Sequence, residues 1–289
     1  FEQEFAQFVG CKFAIALTNG TAALEVALKA LGLSAGDEVI VPPKTFIATV
    51  SSVVNCGATP VFADVDSDSQ NITAKTIEKV LTKKTRAIVC VHLAGWPCDM
   101  DSIMSLANEY NLLVIEDCAQ AHGAFYKGRS VGSIGDIGCW SFCQDKIMST
   151  GGEGGMVTTN NKSLWAAMWS YKDHGKSWDA IHGSQFSGGF RWVHESFGTN
   201  LRMTEMQSAI GRVQLSFLRS WNEERNKNLQ AIWNVAKELP SLRVPNLQCS
   251  ACKGNCDCKH AAYKCYVFVR GSQAVRDQMI ADLNSGGVK

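Results

Sequence analysis

The 289-residue chain has no apolar run near the roughly 20 residues that a membrane-spanning helix needs. Its N-terminus, FEQEFAQFVG, has neither the basic start nor the apolar run of a signal peptide. It also lacks a charge bias, because 28 Lys and Arg balance 27 Asp and Glu. Electrostatic binding of nucleic acid or of an anionic membrane is therefore not expected. We expect a cytoplasmic globular protein.

The cysteine pattern lacks the features of a disulfide framework, although the chain has 12 cysteines. Five of them lie in apolar segments, where free cysteine packs as a small hydrophobe: Cys11, Cys56, Cys90, Cys118 and Cys139. A tight group of four soft ligands could close around zinc: Cys249, Cys252, Cys256 and Cys258. Their spacing is not that of two separated C-x2-C pairs, so a polar loop with reduced thiols is the alternative. We assign no metal to the candidate site.

Short apolar runs alternate with amphipathic stretches between residues 12 and 160. The runs are FAIAL, EVIVP, TPVFADV, RAIVCVHL, LLVIED, IGCWSF and MVTTN. Continuous apolar strands separated by helices predict βαβ units, and hence an α/β fold with a mostly parallel seven-stranded sheet between helices. Ligands of such sheets bind outside the carboxyl ends of the strands.

The composition changes near Met203, where two long helical stretches begin, MTEMQSAIGRVQLSFL and WNEERNKNLQAIWNVAKEL. Pro240 and Pro245 follow them. The strand-like AYKCYVFVRG and the helical AVRDQMIADLN come next. We expect a large α/β domain over 1–215 and the start of a smaller α+β domain over 216–289. Both ends of the chain look cut, which makes the smaller domain incomplete.

A turn of small residues, Thr18 to Ala23, follows the first strand and opens a helix. Free amides and the positive end of the helix dipole make such a turn an anion site, although an ordinary capped helix start has the same pattern. The turn has neither the GxGxxG nor the GxxxxGK[ST] spacing, which speaks against a dinucleotide or Walker-type site.

Two charged residues follow later strands. Asp117 ends LLVIED, where a carboxylate can keep a heterocyclic nitrogen protonated or can simply cap a helix. Lys146 follows IGCWSF and precedes a glycine-rich turn, where it could form an imine with a carbonyl cofactor or could be a solvated surface charge. Together with the anion turn and Ser141, these groups match the phosphate, the ring nitrogen and the aldehyde carbon of pyridoxal 5'-phosphate (PLP).

Seven ordered motifs carry a resemblance to the DegT/DnrJ/StrS family of fold-type I, PLP-dependent aminotransferases, which act mainly on keto-sugar nucleotides. The motifs are NGTAAL (19–24), GDEVIVPPKTFIAT (36–49), GATPVFADVD (57–66), EDCAQAHG (116–123), GDIGCWSF followed by Lys146, GGEGGMVTTN (151–160) and NLRMTEMQSAIG (200–211). The resemblance covers nearly the whole chain.

The resemblance implies a role for each matched residue. Lys146 forms the Schiff base with PLP, and Asp117 pairs with the pyridinium nitrogen. The remaining cofactor contacts are Gln120 at the phenolic oxygen, Phe46 on the ring, Gly20, Thr21, Ala22 and Ser141 at the phosphate, and Asn200 at the phosphate of the partner subunit. The resemblance also implies a homodimer with shared active sites.

The implied reaction transfers an amino group, with L-glutamate as donor, to the ketone of a nucleotide-linked sugar, in amino-sugar biosynthesis for surface polysaccharide or secondary metabolites. Lys146 moves the proton and is a base only while it is neutral, which we expect burial to favour. A related sugar dehydratase has His in place of that lysine, so Lys146 argues against it. A cyclitol or aminobenzoate transaminase would use the same cofactor residues and stays open, as does a non-catalytic protein on this scaffold.

The chain departs from the family at the residues next to Ser141 and Lys146. Cys143 stands where the family often has His, and Ile147 stands where it often has Asn. Leu201 replaces the tyrosine of the familiar NYRM. These departures leave the cofactor residues intact but weaken any inference about substrate contacts.

Overall fold

The computed structural model, which describes residues 1–183, 194–247 and 257–288, alternates strands with helices. The strands are β1 (Phe13–Leu17), β2 (Glu38–Val41), β3 (Thr59–Phe62), β4 (Thr85–Val91), β5 (Leu113–Asp117), β6 (Phe125–Tyr126), β7 (Arg129–Ser130), β8 (Ile137–Ser141), β9 (Gly155–Thr159), β10 (Leu242–Arg243) and β11 (Phe268–Val269). The helices are α1 (Glu2–Val9), α2 (Gly20–Ala30), α3 (Ala48–Asn55), α4 (Ala74–Glu78), α5 (Met100–Glu109), α6 (Lys162–Lys172), α7 (Trp178–His182), α8 (Glu205–Glu238) and α9 (Gln273–Ser285). Among these helices, none combines the length and the apolarity needed to cross a membrane.

Seven strands form one sheet in the order β1-β9-β8-β5-β4-β2-β3. Strand β9 is antiparallel to both of its neighbours, and the other pairs are parallel. The predicted mostly parallel seven-stranded α/β sheet is therefore confirmed. Six carboxyl ends meet at one edge of this sheet, which we call the carboxyl edge, and Asp117 and Ser141 end two of the strands there.

Alternate residues of each strand pack on opposite faces of the sheet, since successive side chains of a strand point to opposite sides. On β2, Val39 and Val41 join the cluster formed with α2, α3 and α6, whereas Ile40 packs with α4 and α5. Nearer the other end of the sheet, Trp140 of β8 packs with Phe5 of α1 and with α8. Both faces are covered, which explains why the strands are continuously apolar.

Helix α8 merges the two helical stretches that the sequence predicted. It runs without a break for 34 residues and ends two residues before Pro240. The predicted domain boundary at 215/216 falls inside this helix, and the division into two domains stays a prediction. The predicted strand AYKCYVFVRG is reduced to β11, because only Leu242–Arg243 pairs with it. The zinc hypothesis concerns Cys249, Cys252 and Cys256, which lie outside the described residues.

Glu116 ties β5 to the loop that leads into β8. Its fully buried carboxylate accepts hydrogen bonds from the backbone N–H groups of Gly132, Ile134 and Gly135 at 2.7–2.9 Å. It also lies 3.0 Å from Nε2 of His92. Burial alone would raise the pKa of Glu116, but these contacts outweigh burial and hold the pKa below its ordinary value of 4.5. The loop thus depends on one buried charge.

Replacing this charge should destabilise the fold. We expect Glu116→Ala to lower the free energy of unfolding by about 3–5 kcal/mol, because it leaves buried donors without an acceptor. Urea denaturation measures the change. Since the pKa is lowered in the folded state, the difference from wild type should be complete above pH 4.5 and should shrink as the pH falls through the folded-state pKa.

Exposed Glu109 provides the control, and Glu109→Ala should change the free energy of unfolding by less than about 0.5 kcal/mol. Equal losses in the two variants would contradict the assignment of Glu116 as the buried anchor of the loop.

Candidate active site

Asp117 lies at the carboxyl edge with only 6% of its surface exposed. Its Oδ2 accepts a hydrogen bond from the Thr49 hydroxyl at 2.9 Å, and its Oδ1 accepts one from the Ala119 N–H at 3.1 Å. Burial raises the pKa of this carboxyl, and the two hydrogen bonds only partly oppose it. The described ion pairs do not include Asp117. The site therefore holds a buried carboxylate suited to a cationic ligand atom.

The start of α3 brings Thr49 to Asp117. Thr49 is buried, and its hydroxyl also lies 2.8 Å from that of Thr45. Its backbone N–H donates to the carbonyl of Phe46 at 3.1 Å, so Phe46 lies one turn from the carboxylate. The Phe46 ring is 69% exposed, and its surface is free to cover a flat ligand.

The small-residue turn at the start of α2 packs directly against two strands. A Cβ on Gly20 would lie 2.6 Å from Cβ of Ser141, and a Cβ on Gly155 would lie 2.2 Å from the carbonyl oxygen of Asn19. Any larger residue would push these segments apart, so glycine keeps the helix start beside Ser141. Since the first turn of a helix has N–H groups without partners in the helix, this contact forms a cradle for an anion.

The capping of α2 engages one of the predicted phosphate donors. The side chain of Asn19 accepts the Ala22 N–H at 2.8 Å. Thr21 is exposed at the same turn, and Gly20 is partly exposed. A bound phosphate would have to share the Ala22 amide with Asn19 or displace it, so Gly20 and Thr21 are the more accessible donors.

Lys146 lies in the turn after β8, with 14% of its side chain exposed. Its Nζ is 3.3 Å from the Tyr263 hydroxyl and 3.6 Å from Oδ1 of Asp145. The charge of Lys146 opposes the effect of burial on the Asp117 carboxyl, but the pKa of that carboxyl stays above its ordinary value. Lys146 follows β8, the neighbour of β5, so both predicted catalytic residues lie at the carboxyl edge. Burial lowers the pKa of Lys146, as the sequence led us to expect, but Tyr263, Cys143 and Asp145 outweigh burial and raise it.

Two predicted cofactor residues have no described contact with Lys146. Gln120 follows Asp117 in the same loop, and its Oε1 accepts the Ala94 N–H at 2.7 Å. Asn200 is exposed, and it pairs with Asp173 in an isolated bridge. No described contact joins Asn200 to Asp117 or Lys146 within the chain. Their roles at the cofactor stay predictions.

The structure adds residues that the sequence analysis missed. Thr49 contacts Asp117, and it lies in the TFIAT motif three residues after Phe46, which was the available signal. The imidazole of His122 is fully buried, and neither ring nitrogen has a hydrogen-bond partner in the described structure. Burial and the charge of Lys146 lower its pKa to about 3. Tyr263 lies 117 residues after Lys146, in a segment predicted as a strand, and nothing local indicated its contact.

Comparison with known proteins gives matches along the whole chain. The GDP-perosamine synthase of Escherichia coli O157:H7 is 44% identical over 245 residues, which cover 82% of this chain and 64% of that protein. An aminotransferase of known structure from Psychrobacter cryohalolentis is 58% identical with a TM-score of 0.95, over 99% of this chain and 74% of that one. NtdA from Bacillus subtilis, solved with bound cofactor PMP, is 28% identical with a TM-score of 0.83, over 99% and 61% of the two chains.

The chain spans 55–64% of the length of several curated relatives that it matches. The family pattern itself extends over residues 1–289, the whole of this chain. The sheet topology and the neighbouring structures agree on a fold-type I transferase. The chain therefore belongs to the DegT/DnrJ/EryC1/StrS aminotransferase family.

Proposed function

We propose that the protein is a PLP-dependent aminotransferase that transfers the amino group of L-glutamate to a keto-sugar linked to a nucleoside diphosphate. The observation that carries the proposal is the buried carboxylate of Asp117 at the carboxyl edge, with Lys146 in the turn after the neighbouring strand β8. The relative named GDP-perosamine synthase supports a nucleotide-linked sugar as the substrate class. Such a reaction would serve amino-sugar biosynthesis in the cytoplasm.

The site residues fit PLP group by group. Asp117 offers its buried negative charge to the pyridinium nitrogen, and the cradle of Gly20, Thr21 and Ser141 suits the phosphate. Lys146 would hold the aldehyde carbon. Phe46 would cover the ring, with Gln120, Ala22 and the partner's Asn200 completing the contacts. When bound, the cofactor supplies an electron sink for the carbanion that forms at Cα of the amino acid.

The chain's own residues position the protons of the proposed reaction. With PLP bound, the carboxylate of Asp117 would keep a proton on the ring nitrogen, because an adjacent negative charge favours the cationic form. Thr49 and Ala119 keep the carboxylate in place through their hydrogen bonds. The amine of Lys146 is the group that accepts and returns the substrate proton at Nζ, and Tyr263 lies beside it.

A homodimer is part of the proposal. Met206, Ile210, Val213 and Phe217 recur at spacings of three and four residues along α8, and they are 41–76% exposed. An exposed apolar stripe of this kind indicates a protein contact surface. The exposed Asn200 lies five residues before this helix, so pairing through the stripe would carry it toward a second subunit.

Lys146→Ala tests the covalent attachment. Wild-type protein incubated with PLP should develop visible absorbance that L-glutamate abolishes, whereas the variant should not develop the lysine-bound form. After borohydride reduction, peptide mass spectrometry should find the cofactor on Lys146. Lys162→Ala, at the exposed start of α6, should behave as wild type. A well-folded wild-type protein with no cofactor on Lys146 would refute the proposed function.

Asp117→Asn tests the pairing with the ring nitrogen. The variant should slow the half-reaction with L-glutamate by roughly 30-fold to several thousand-fold, because losing a partner of a buried charge pair costs about 2–5 kcal/mol. Stopped-flow absorbance measures the rate. Asp136 is partly buried outside the proposed site, and its carboxylate accepts the Val114 N–H at 2.7 Å. Asp136→Asn therefore makes the same substitution and controls for the effect on stability alone. Similar rates in wild type and Asp117→Asn would rule out the pairing.

Val213→Glu tests the dimer surface. Light scattering should give the mass of two chains for wild type and of one chain for the variant, because the new charge would be buried in the contact. Gln230→Glu adds the same charge on another, exposed part of α8 and should stay dimeric. A monomeric wild type would contradict the proposed assembly.

A further inference from the structure

The phenol of Tyr263 bridges two adjacent residues of the proposed site. Its hydroxyl donates to Oδ2 of Asp145 at 2.7 Å, and Nζ of Lys146 donates to its oxygen at 3.3 Å. The Lys146 amine also lies 4.9 Å from the centre of the Tyr263 ring. The Lys146 amine therefore contacts both the hydroxyl oxygen and the ring of Tyr263.

The carboxylate of Asp145 is fixed at both oxygens. While Tyr263 binds Oδ2, the Cys143 thiol donates to Oδ1 at 2.8 Å. These two contacts lower the pKa of Asp145 to about 2, so the group stays an anion at any working pH. Tyr263 is 9% exposed, whereas the Asp145 side chain is 57% exposed. The charge thus lies toward the solvent, and it acts on the buried amine both directly, at 3.6 Å, and through the phenol.

Several elements hold Tyr263 in this position. The backbone groups of Lys259 and Phe125 exchange hydrogen bonds at 2.7 and 3.0 Å, which ties the segment to β6. The side chain of Arg225 on α8 donates to the carbonyl of Ala262 at 3.1 Å. Ala262 has a φ of 54°, a left-handed conformation that an alanine adopts only when its surroundings impose it. The approach of Tyr263 to Lys146 is therefore built into the packing.

We propose that Tyr263, oriented by Asp145, is a positioning residue that holds the amine of Lys146 and controls its protonation during transamination. A tyrosine hydroxyl both donates and accepts, so while its single hydrogen goes to Asp145 its oxygen accepts a hydrogen bond from the Lys146 amine. No other hydroxyl contact to this amine is found in the described structure. This inference rests on the proposed function, because the lysine must change its protonation state only if it transfers a proton.

The causes that shift the pKa of Lys146 support the inference. Burial lowers the pKa of Lys146, and the hydrogen bond with Tyr263 is the largest of the contacts that raise it. Removing the hydroxyl should therefore shift the amine toward its neutral form at a given pH. The ring of Tyr263 would still fill its space as phenylalanine, so the effect of the hydroxyl can be separated from that of packing.

The test compares Tyr263→Phe with wild type and with Tyr266→Phe. Tyr266 lies on the same segment, and its hydroxyl contacts only the backbone carbonyls of Asp68 and Ser69 among the described residues. In protein without cofactor, the pH dependence of Lys146 acetylation by acetic anhydride, read by peptide mass spectrometry, should move to lower pH in Tyr263→Phe. It should not move in Tyr266→Phe. Asp145→Asn should move it in the same direction as Tyr263→Phe.

With cofactor, Tyr263→Phe should bind PLP but slow the half-reaction with L-glutamate about tenfold or more, with a shifted pH profile. An unchanged labelling profile and an unchanged half-reaction rate would overturn the inference, as would equal shifts in both tyrosine variants. If wild type fails to bind PLP at all, the proposed function fails, and the inference fails with it even though the labelling shift would still report the contact.

Discussion

The charge of Asp117 is the constraint on which the rest of the site depends, because one hydroxyl and one amide are the only groups in the described structure that hydrogen-bond to this buried carboxylate. An isolated buried charge is costly unless a partner compensates it. The surroundings are arranged so that a flat cationic ligand can supply that compensation. Thr49 binds the carboxylate from α3, and Lys146 lies in the turn after the neighbouring strand β8.

The sheet makes this arrangement possible. Parallel strands β5 and β8 are neighbours. Asp117 at the end of β5 and Lys146 after β8 therefore reach the same edge, although they lie 29 positions apart in the chain. The helix start at Gly20 reaches Ser141 because both residues are small at their contact. Glu116, one residue before Asp117, points into the loop before β8 and anchors it. Adjacent carboxylates on one strand thus serve the fold and the site separately, since their side chains face opposite ways.

The sequence predicted what depends on local pattern. All seven strands of the main sheet were predicted, because apolar runs and intervening amphipathic stretches are local signals. The predicted break within α8 was wrong. The buried side chains of Leu218 and Leu229 support one long helix, and no local sequence rule shows this packing. The length of β11 was overestimated, because its partner strand has only two residues. Tyr263 was missed because its contact depends on how a distant segment folds back, which is a tertiary property.

The structure shows what contacts the two departures from the family pattern next to Lys146 make. Cys143 stands where the family often has His, and its thiol donates to Asp145. Burial raises the pKa of this thiol, so it stays neutral and gives Asp145 one weak hydrogen bond, whereas a protonated His would compete with Lys146 for the carboxylate. Ile147 is 5% exposed and packs in the core with Phe142. Both changes surround Lys146 and leave Asp117 untouched, so they bear on how the lysine handles its proton rather than on whether the cofactor binds.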